Sequence, residues 1–237
     1  MGIRHIFVCM GLGAGLIAIF SVYQSMNHIS YCLDTDSLFS SKAVDSISEY
    51  VTTHAQTIPE KLTRELITTF CSIDQVTARC NAQGTCTLSV TAVKPLARLS
   101  NAMLLSVDGK CVPQECFVET ATKNLSAISL CDTLSEQAAQ ALSAYIQKIS
   151  PHVFNNYTVA WKNKNEIFFH DKNTDVLFLA DLKTTPNERL HQLIVDHRTC
   201  TSKPTQKKQK KLIADIRFDH QLIVYENKGA SHGNSIF

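Results

Sequence analysis

An uncharged apolar run near the N-terminus constrains the fold of this chain more than any other feature of its sequence. From Ile6 to Tyr23 no charged residue occurs over 18 positions, and Arg4 precedes the run. This length is at the lower limit for a helix that spans a bilayer and exceeds the apolar core of an ordinary signal peptide. Residues 23–28 offer only Ser25 as a small side chain, so a cleavage site is not indicated. An uncleaved membrane anchor is the favoured interpretation, with a cleaved signal or a buried core helix as alternatives.

The charges that flank this run predict the orientation of the anchor. Arg4 and the α-amino group precede it, whereas no Lys or Arg follows it before Lys42. Basic residues are retained on the cytoplasmic side of a membrane. The body of the protein, from residue 28 onward, is therefore expected outside the cytoplasm.

Cysteine usage fits such a location. Cys9 lies within the apolar run, which leaves eight of the nine cysteines in the body. Oxidising compartments allow disulfide bonds to persist, so an even number in an exported domain favours a disulfide framework. The candidate pairs, each close in sequence, are Cys80 with Cys86 and Cys111 with Cys116. Buried free thiols remain an alternative, whereas the spacing does not suit a structural zinc site.

Hydrophobic periodicity and turn signals predict an α+β fold for the body. Its first part has the order strand, helix, helix, strand, strand, and its second part mixes short strands with a helix over about 133–149 and another that begins near Thr185. The second helix of the first part is predicted to start with a capping box formed by Thr57 and Glu60. The predicted strands in the two parts cover residues 28–33, 74–80, 86–93, 104–106, 116–119, 157–161, 166–170 and 175–180.

Two runs near the C-terminus predict a terminal β-hairpin. Residues 212–218 and 222–225 are rich in branched and aromatic side chains and are joined by a polar turn. An edge strand is normally blunted by charge or proline, but neither occurs in the second run before Glu226. Either this strand is central in its sheet, or its free edge is kept for a partner. Its apolar side chains are expected on both faces, with Leu222 and Val224 on one and Ile223 and Tyr225 on the other.

Three motifs, in this order along the chain, resemble those of the FtsQ/DivIB family of bacterial cell-division proteins. The first is Val90-Thr91-Ala92-Val93-Lys94-Pro95-Leu96-Ala97-Arg98, with an Asp108-Gly109 turn after it. The second is Val159-Ala160-Trp161, and the third is Ala214-Asp215-Ile216-Arg217-Phe218. The chain departs from the family pattern at Ala92, where the family has an acidic residue, and in its richness in cysteine.

The resemblance implies four segments: a short cytoplasmic tail with a transmembrane helix (1–27), a POTRA domain (28–97), a mixed β domain with two or more helices (98–226) and a polar tail (227–237). It implies a non-catalytic scaffold without cofactors, held in the inner membrane at the division septum with its body in the periplasm. FtsB-like and FtsL-like division proteins would be its partners, because the family's last strands receive an added strand from FtsB. The implied contact residues are Phe218, Gln221, Leu222, Ile223, Val224 and Tyr225.

Other classes of function have weaker support in the sequence. No G-x-S-x-G, H-E-x-x-H or C-x-x-C motif occurs, so neither a hydrolase nor a thiol oxidoreductase is predicted. His191 and His197 are six positions apart, which does not suit a shared metal site on one helix face. A POTRA-containing protein for export or outer-membrane assembly is the alternative, and the third motif favours division. The lysine-rich loop 203–211 is expected to be solvated rather than to bind lipid head groups, and no nucleic acid or small-molecule substrate is predicted.

Overall fold

The computed structural model describes residues 29–174, 176–187, 189–190, 192–194, 196, 212–218 and 221–226. The fold is α+β and divides into two compact units between Ala92 and Val93. We call the described residues up to Ala92 the N-terminal unit and the others the C-terminal unit. In the described part of the chain, no helix is long and apolar enough to cross a bilayer. The predicted anchor, the loop 203–211 and the polar tail lie outside it.

The N-terminal unit has the predicted order of strand, helix, helix, strand, strand. Its sheet has the order β1-β3-β2, in which β1 is parallel and β2 antiparallel to β3. Parallel strands require a long crossover connection, and the two helices together with β2 form it. The elements are β1 (Ser30–Thr35), α1 (Ser41–Thr53), α2 (Pro59–Thr69), β2 (Ile73–Cys80) and β3 (Thr85–Ala92).

The predicted capping box at the start of α2 is wrong. Ile58, not Thr57, is the N-cap residue, and its backbone is extended, with φ −64° and ψ 146°. The residue before a proline is disfavoured in the helical region, whereas proline suits the first helical position. The helix therefore begins at Pro59, and the Thr57 carbonyl instead accepts a hydrogen bond from the Tyr31 hydroxyl.

The C-terminal unit is built on one nine-stranded mixed sheet. Its strand order is β12-β11-β10-β9-β8-β7-β4-β5-β6, with parallel pairs at β4–β7, β7–β8 and β10–β11. Described residues between 189 and 196 are helical. The other elements are β4 (Pro95–Leu99), β5 (Met103–Ser106), β6 (Cys111–Pro113), α3 (Glu119–Thr122), β7 (Ser126–Leu130), α4 (Glu136–Ile146), α5 (Pro151–Asn156), β8 (Tyr157–Asn163), β9 (Glu166–Asp171), β10 (Val176–Ala180), β11 (Leu212–Asp215) and β12 (Ile223–Glu226).

The predicted strand over residues 116–119 is also wrong. A 3-10 helix, Gln114–Cys116, follows β6 directly, and Glu119 begins α3. Only a single β-bridge at Phe117 remains of the predicted strand, and the Phe117 N–H donates to the Gln114 carbonyl at 3.1 Å. The Gln114 N–H still donates to the Ala102 carbonyl at 3.1 Å, so the ladder ends just after Pro113, where the 3-10 helix begins.

One helix packs closely on the turn between β5 and β6. The side chain of Ser135 caps α4 by accepting from the Ala138 N–H. Within the helix, the Ser143 hydroxyl approaches the Ser106 carbonyl at 3.0 Å. Gly109 has φ +78°, and a Cβ placed on it would lie 2.5 Å from the Cα of Gln140. The turn therefore requires glycine both for its left-handed backbone and for the approach of α4.

Candidate partner-binding edge

The last described strand lies at one end of the nine-stranded sheet. Residues of β12 pair antiparallel with β11, from Asp215 opposite Ile223 to Leu212 opposite Glu226. In the described part of the chain no other strand pairs with β12. Of the two positions that the sequence allowed, central or edge, the structure places this strand at the edge. Backbone N–H and C=O groups along such an edge can pair with another chain.

The side chains of this strand alternate between the core and solvent as the sequence predicts. Leu222, just before β12, and Val224 are partly buried and pack against the core of the C-terminal unit. Ile223 and Tyr225 point the other way and are 45% and 44% exposed. Burial, and to a smaller extent Asp215, raises the pKa of the Tyr225 phenol, so this side chain keeps its proton at neutral pH.

A groove borders the strand on the side of the hairpin connection. Its volume is about 580 Å³. Two of its lining side chains, Leu193 of the helical segment and Phe218 of the connection, are 48% and 47% exposed. The groove is mixed in character, because Lys183 and Arg189 line it together with these apolar side chains. The predicted contact residues that line the groove are Phe218, Gln221 and Leu222.

A buried ion pair holds the chain where it leaves β11. Asp215 is 5% exposed, and its two carboxylate oxygens accept from Arg217 Nε at 2.9 Å and from one terminal nitrogen at 2.6 Å. Burial alone would raise the pKa of Asp215, but the hydrogen bonds and charge of Arg217 outweigh this effect and hold it below its ordinary value. The guanidinium carbon also lies 5.8 Å from the centroid of the Phe218 ring. Such bidentate contacts fix both partners in place.

Sequence reasoning missed this pair as a functional element. Asp215 and Arg217 belong to the third motif, and their spacing of two residues places them on the same side of an extended chain. That spacing was the available signal. The groove could not be found in the same way, because Leu193 and Phe218 are brought together by the fold and not by local spacing.

The structure joins only the first of the two candidate cysteine pairs. Cys80 and Cys86 are opposite each other in the β2–β3 hairpin and form a disulfide. Cys111 is a thiol. It begins the extended strand β6, which carries the chain about 3.3 Å further with each residue, and Cys116 ends the 3-10 helix that follows. The hairpin places the Cα atoms of Cys80 and Cys86 opposite each other, 4.0 Å apart, whereas Cys111 and Cys116 are not opposite each other in any strand pair.

Comparison with known proteins adds no assignment: the chain matches no protein-family model and no curated protein. Within the described residues, no group of three or more His, Cys, Asp or Glu side chains is placed to hold a metal ion.

Proposed function

We propose that this protein is a non-catalytic scaffold of bacterial cell division, similar to the FtsQ/DivIB family, and that it captures a strand of its partner on β12. One observation carries the proposal: the terminal strand is an edge strand whose exposed face is apolar, with Ile223 and Tyr225 nearly half exposed. An added strand would gain main-chain hydrogen bonds at the edge and side-chain contacts on both faces.

The topology of the N-terminal unit supports the same proposal. Its β-α-α-β-β order is the one that the resemblance to a POTRA domain implies. In this proposal residues 6–23 anchor the chain in the inner membrane, the two units lie in the periplasm, and the protein acts at the division septum. Its partners are FtsB-like and FtsL-like proteins.

The surface next to β12 favours a partner that continues beyond a single strand. Phe218 and Leu193 are exposed apolar side chains of the groove, which Lys183 and Arg189 also line, so the segment that precedes or follows the added strand can bury apolar side chains there. Apolar burial stabilises an interface by about 25 cal/mol per Å² before the costs of association are subtracted. The backbone edge sets the register, and the groove adds affinity.

Two proline substitutions test whether the backbone edge is the recognition surface. Successive N–H groups of an antiparallel strand point to opposite edges, so Val224→Pro and Tyr225→Pro remove N–H groups that face opposite sides of β12. The variant that loses the inward group should weaken the hairpin. The other should remain folded and lose capture of the FtsB-like and FtsL-like proteins in a pull-down, with circular dichroism and amide hydrogen exchange as measures of folding.

Val224→Ala and Tyr225→Ala are the matched controls because they shorten the same side chains and keep both N–H groups. They should retain more partner binding than the folded proline variant. If that proline variant captures its partners as well as the parent protein, β12 does not bind them through its backbone. A fluorescent fusion tests the site of action: septal localisation supports division, and uniform envelope staining supports the export alternative.

A further inference from the structure

Strand β1 forms one edge of the three-stranded sheet in the N-terminal unit. It pairs with β3 on one side, and among the described residues no strand pairs with its other side. It contains neither proline nor lysine, the residues that most often blunt an edge strand, and Asp34 is its only charge. Strand β2 at the opposite edge carries Arg79 and has a register irregularity between Ile73 and Gln75. The β1 edge is therefore the more open of the two.

Two hydrogen bonds establish which backbone groups of β1 point away from β3. The Ser30 N–H donates to the Gly84 carbonyl at 3.0 Å. Further along, the Asp36 N–H donates to the Val90 carbonyl, also at 3.0 Å. Because the backbone groups of successive residues alternate between the two edges of a strand, the even-numbered residues bond to β3. The residues of β1 that direct their N–H and C=O groups to the free edge are Tyr31, Leu33 and Thr35.

These groups suit an antiparallel copy of the same strand. In antiparallel pairing, residues that turn their backbone groups to each other form hydrogen-bonded pairs, and the residues between them form non-hydrogen-bonded pairs with closer side chains. A two-fold axis at Cys32 places Tyr31 opposite Leu33 of the second copy, and these two residues exchange hydrogen bonds. The two Cys32 residues then form a non-hydrogen-bonded pair at the axis. Ser30 faces Asp34 of the second copy, so the two aspartates are not opposite each other.

The protein already forms a disulfide at a site of this kind. In the β2–β3 hairpin the Asn81 N–H donates to the Thr85 carbonyl at 2.9 Å, so these two residues face each other across a ladder hydrogen bond. The next pair, Cys80 and Cys86, is therefore non-hydrogen-bonded, and it carries the disulfide. Cα atoms in such pairs lie about 4.5 Å apart, a separation that a disulfide spans. Cys32 is an exposed thiol, so its side chain is accessible for the same bond.

We propose that β1 pairs antiparallel with β1 of a second copy of this chain, in the register centred on Cys32, and that a disulfide between the two Cys32 residues makes the dimer lasting. A contact along one strand edge is smaller than the stable interfaces of about 1,200–2,000 Å², so the covalent bond supplies what the strand pairing lacks. The pairing involves neither β12 nor the division partners, so its failure would leave the proposed function untouched.

The bond forms by thiol–disulfide exchange with a small disulfide such as oxidised glutathione. One Cys32 thiolate attacks this oxidant and releases a glutathione thiolate. The second Cys32 thiolate then attacks the mixed disulfide at the first Cys32 sulfur and releases the other glutathione. Both cysteines lose their protons, and the two electrons that their sulfurs give up reduce the oxidant to two thiols.

Oxidation of the purified full chain with oxidised glutathione tests the proposal. Non-reducing electrophoresis should show a dimer that dithiothreitol returns to the monomer. Digestion with chymotrypsin, which cleaves between Cys9 and Cys32, should yield a Cys32 peptide joined to its own copy in mass spectrometry. Cys32→Ser should lose this dimer. Cys71→Ser is the matched control because it removes the other exposed thiol described in the N-terminal unit, and it should keep the dimer.

Cysteines introduced on either side of the axis test the register. In the Cys32→Ser background, a chain with both Ser30→Cys and Asp34→Cys should again form a disulfide-linked dimer, because each of these positions faces the other in the second copy. Ser30→Cys alone is the control: its thiol would face Asp34 of the second copy and should form far less dimer.

Leu33→Pro tests the contribution of the backbone edge. Proline removes an N–H group that points to the free edge and leaves the bonds to β3 in place, so dimer formation by Cys32 should slow several-fold. Leu33→Ala shortens the same side chain and keeps the N–H group, so it should form the dimer faster than the proline variant. Circular dichroism measures whether both variants are folded.

Each variant can also overturn the proposal. Absence of a Cys32-linked dimer in the parent, or an undiminished dimer in Cys32→Ser, would exclude this thiol as the link. Equal cross-linking by Ser30→Cys alone and by the double variant would exclude the register. Equal rates for the parent and a folded Leu33→Pro chain would show that the thiols meet without strand pairing.

Discussion

The two ends of the nine-stranded sheet solve the problem of a free strand edge in opposite ways. At one end β6 has three residues, contains Pro113 and gives way at once to a 3-10 helix. At the other end β12 has four residues, contains no proline and exposes Ile223 and Tyr225. Proteins normally shorten or interrupt an edge strand to prevent unwanted pairing. The β6 edge, which we call the closed edge, follows this rule. The β12 edge, which we call the open edge, does not, and this difference is the reason to propose a function for β12.

The ends also differ in what holds them. The turn before β6 packs against α4, and the Ser143 hydroxyl of this helix donates a hydrogen bond to the Val107 carbonyl at 2.6 Å. The chain after β11 is held by the Ile216 N–H, which donates to the Leu179 carbonyl at 2.9 Å, and by the Asp215–Arg217 pair. The β6 end is therefore secured by the packing of a helix, and the β12 end by an ion pair together with a backbone hydrogen bond. Three substitutions separate these roles, in decreasing order of their effect on the free energy of unfolding.

The largest loss of stability is expected from Gly109→Ala at the closed edge. A Cβ at this position would lie 2.5 Å from a backbone atom of α4, and the residue has φ +78°. Overpacking against a backbone atom and left-handed strain together should lower the free energy of unfolding by about 2–4 kcal/mol. Urea denaturation monitored by Trp161 fluorescence would measure it, because this single tryptophan lies in the C-terminal unit.

Gly84→Ala separates the cost of overpacking against α4 from the cost of left-handed backbone strain. Gly84 has a similar φ of +80° but lies in the turn between Cys80 and Cys86 of the N-terminal unit. It should show only the cost of the left-handed backbone, about 1 kcal/mol, measured by urea denaturation followed by circular dichroism because Trp161 lies in the other unit. Equal losses in the two variants would mean that contact with α4 contributes nothing to the closed edge.

The second substitution, Asp215→Asn, tests the ion pair at the open edge. It leaves the Arg217 guanidinium without its anion and should lower the free energy of unfolding by about 1.5–3 kcal/mol at neutral pH. Because the folded-state pKa of Asp215 lies below its ordinary value, the stabilisation is fully present above about pH 4 and is lost as the pH falls through the folded pKa. The variant should therefore lose less stability than the parent between pH 4 and 2.

Glu166→Gln is a matched control for this charge change. Glu166 pairs with Lys162 at 2.7 Å, but both side chains are substantially exposed, so solvent screens the pair and its loss should cost less stability than loss of the Asp215 carboxylate. If both variants lose the same free energy of unfolding and depend on acidic pH in the same way, burial of Asp215 does not make its ion pair more stabilising than the exposed Lys162–Glu166 pair.

How much of the structure the sequence could predict depends on whether a feature is set by neighbouring residues or by contacts between distant ones. Strands β8, β9 and β10 were predicted within a few residues, because dense branched and aromatic runs are separated by clear turn signals. The terminal hairpin and the two faces of its second strand were predicted for the same reason. The short helix α5 was missed: Pro151 could have signalled its start, but six residues give too little periodicity to detect a helix.

What the sequence could not predict depends on distant contacts. The pairing of β4 with β7 and of β10 with β11 is parallel and joins segments that are far apart in the chain, so no local pattern reports it. The edge position of β12 and the groove beside it follow from this pairing.

The smallest effect on stability, and the sharpest test of the open edge, is expected from Tyr225→Lys. The side chain at this position is 44% exposed, so the free energy of unfolding should change by no more than about 0.5 kcal/mol. A lysine on an edge strand nevertheless opposes pairing because an incoming apolar strand would have to desolvate its charge. Partner capture should therefore fall markedly in a pull-down, while Tyr225→Phe, which keeps the apolar surface, should bind like the parent. If the lysine variant retains full capture, the exposed face of β12 does not contribute to recognition. The difference between the two edges would then lie in the backbone alone.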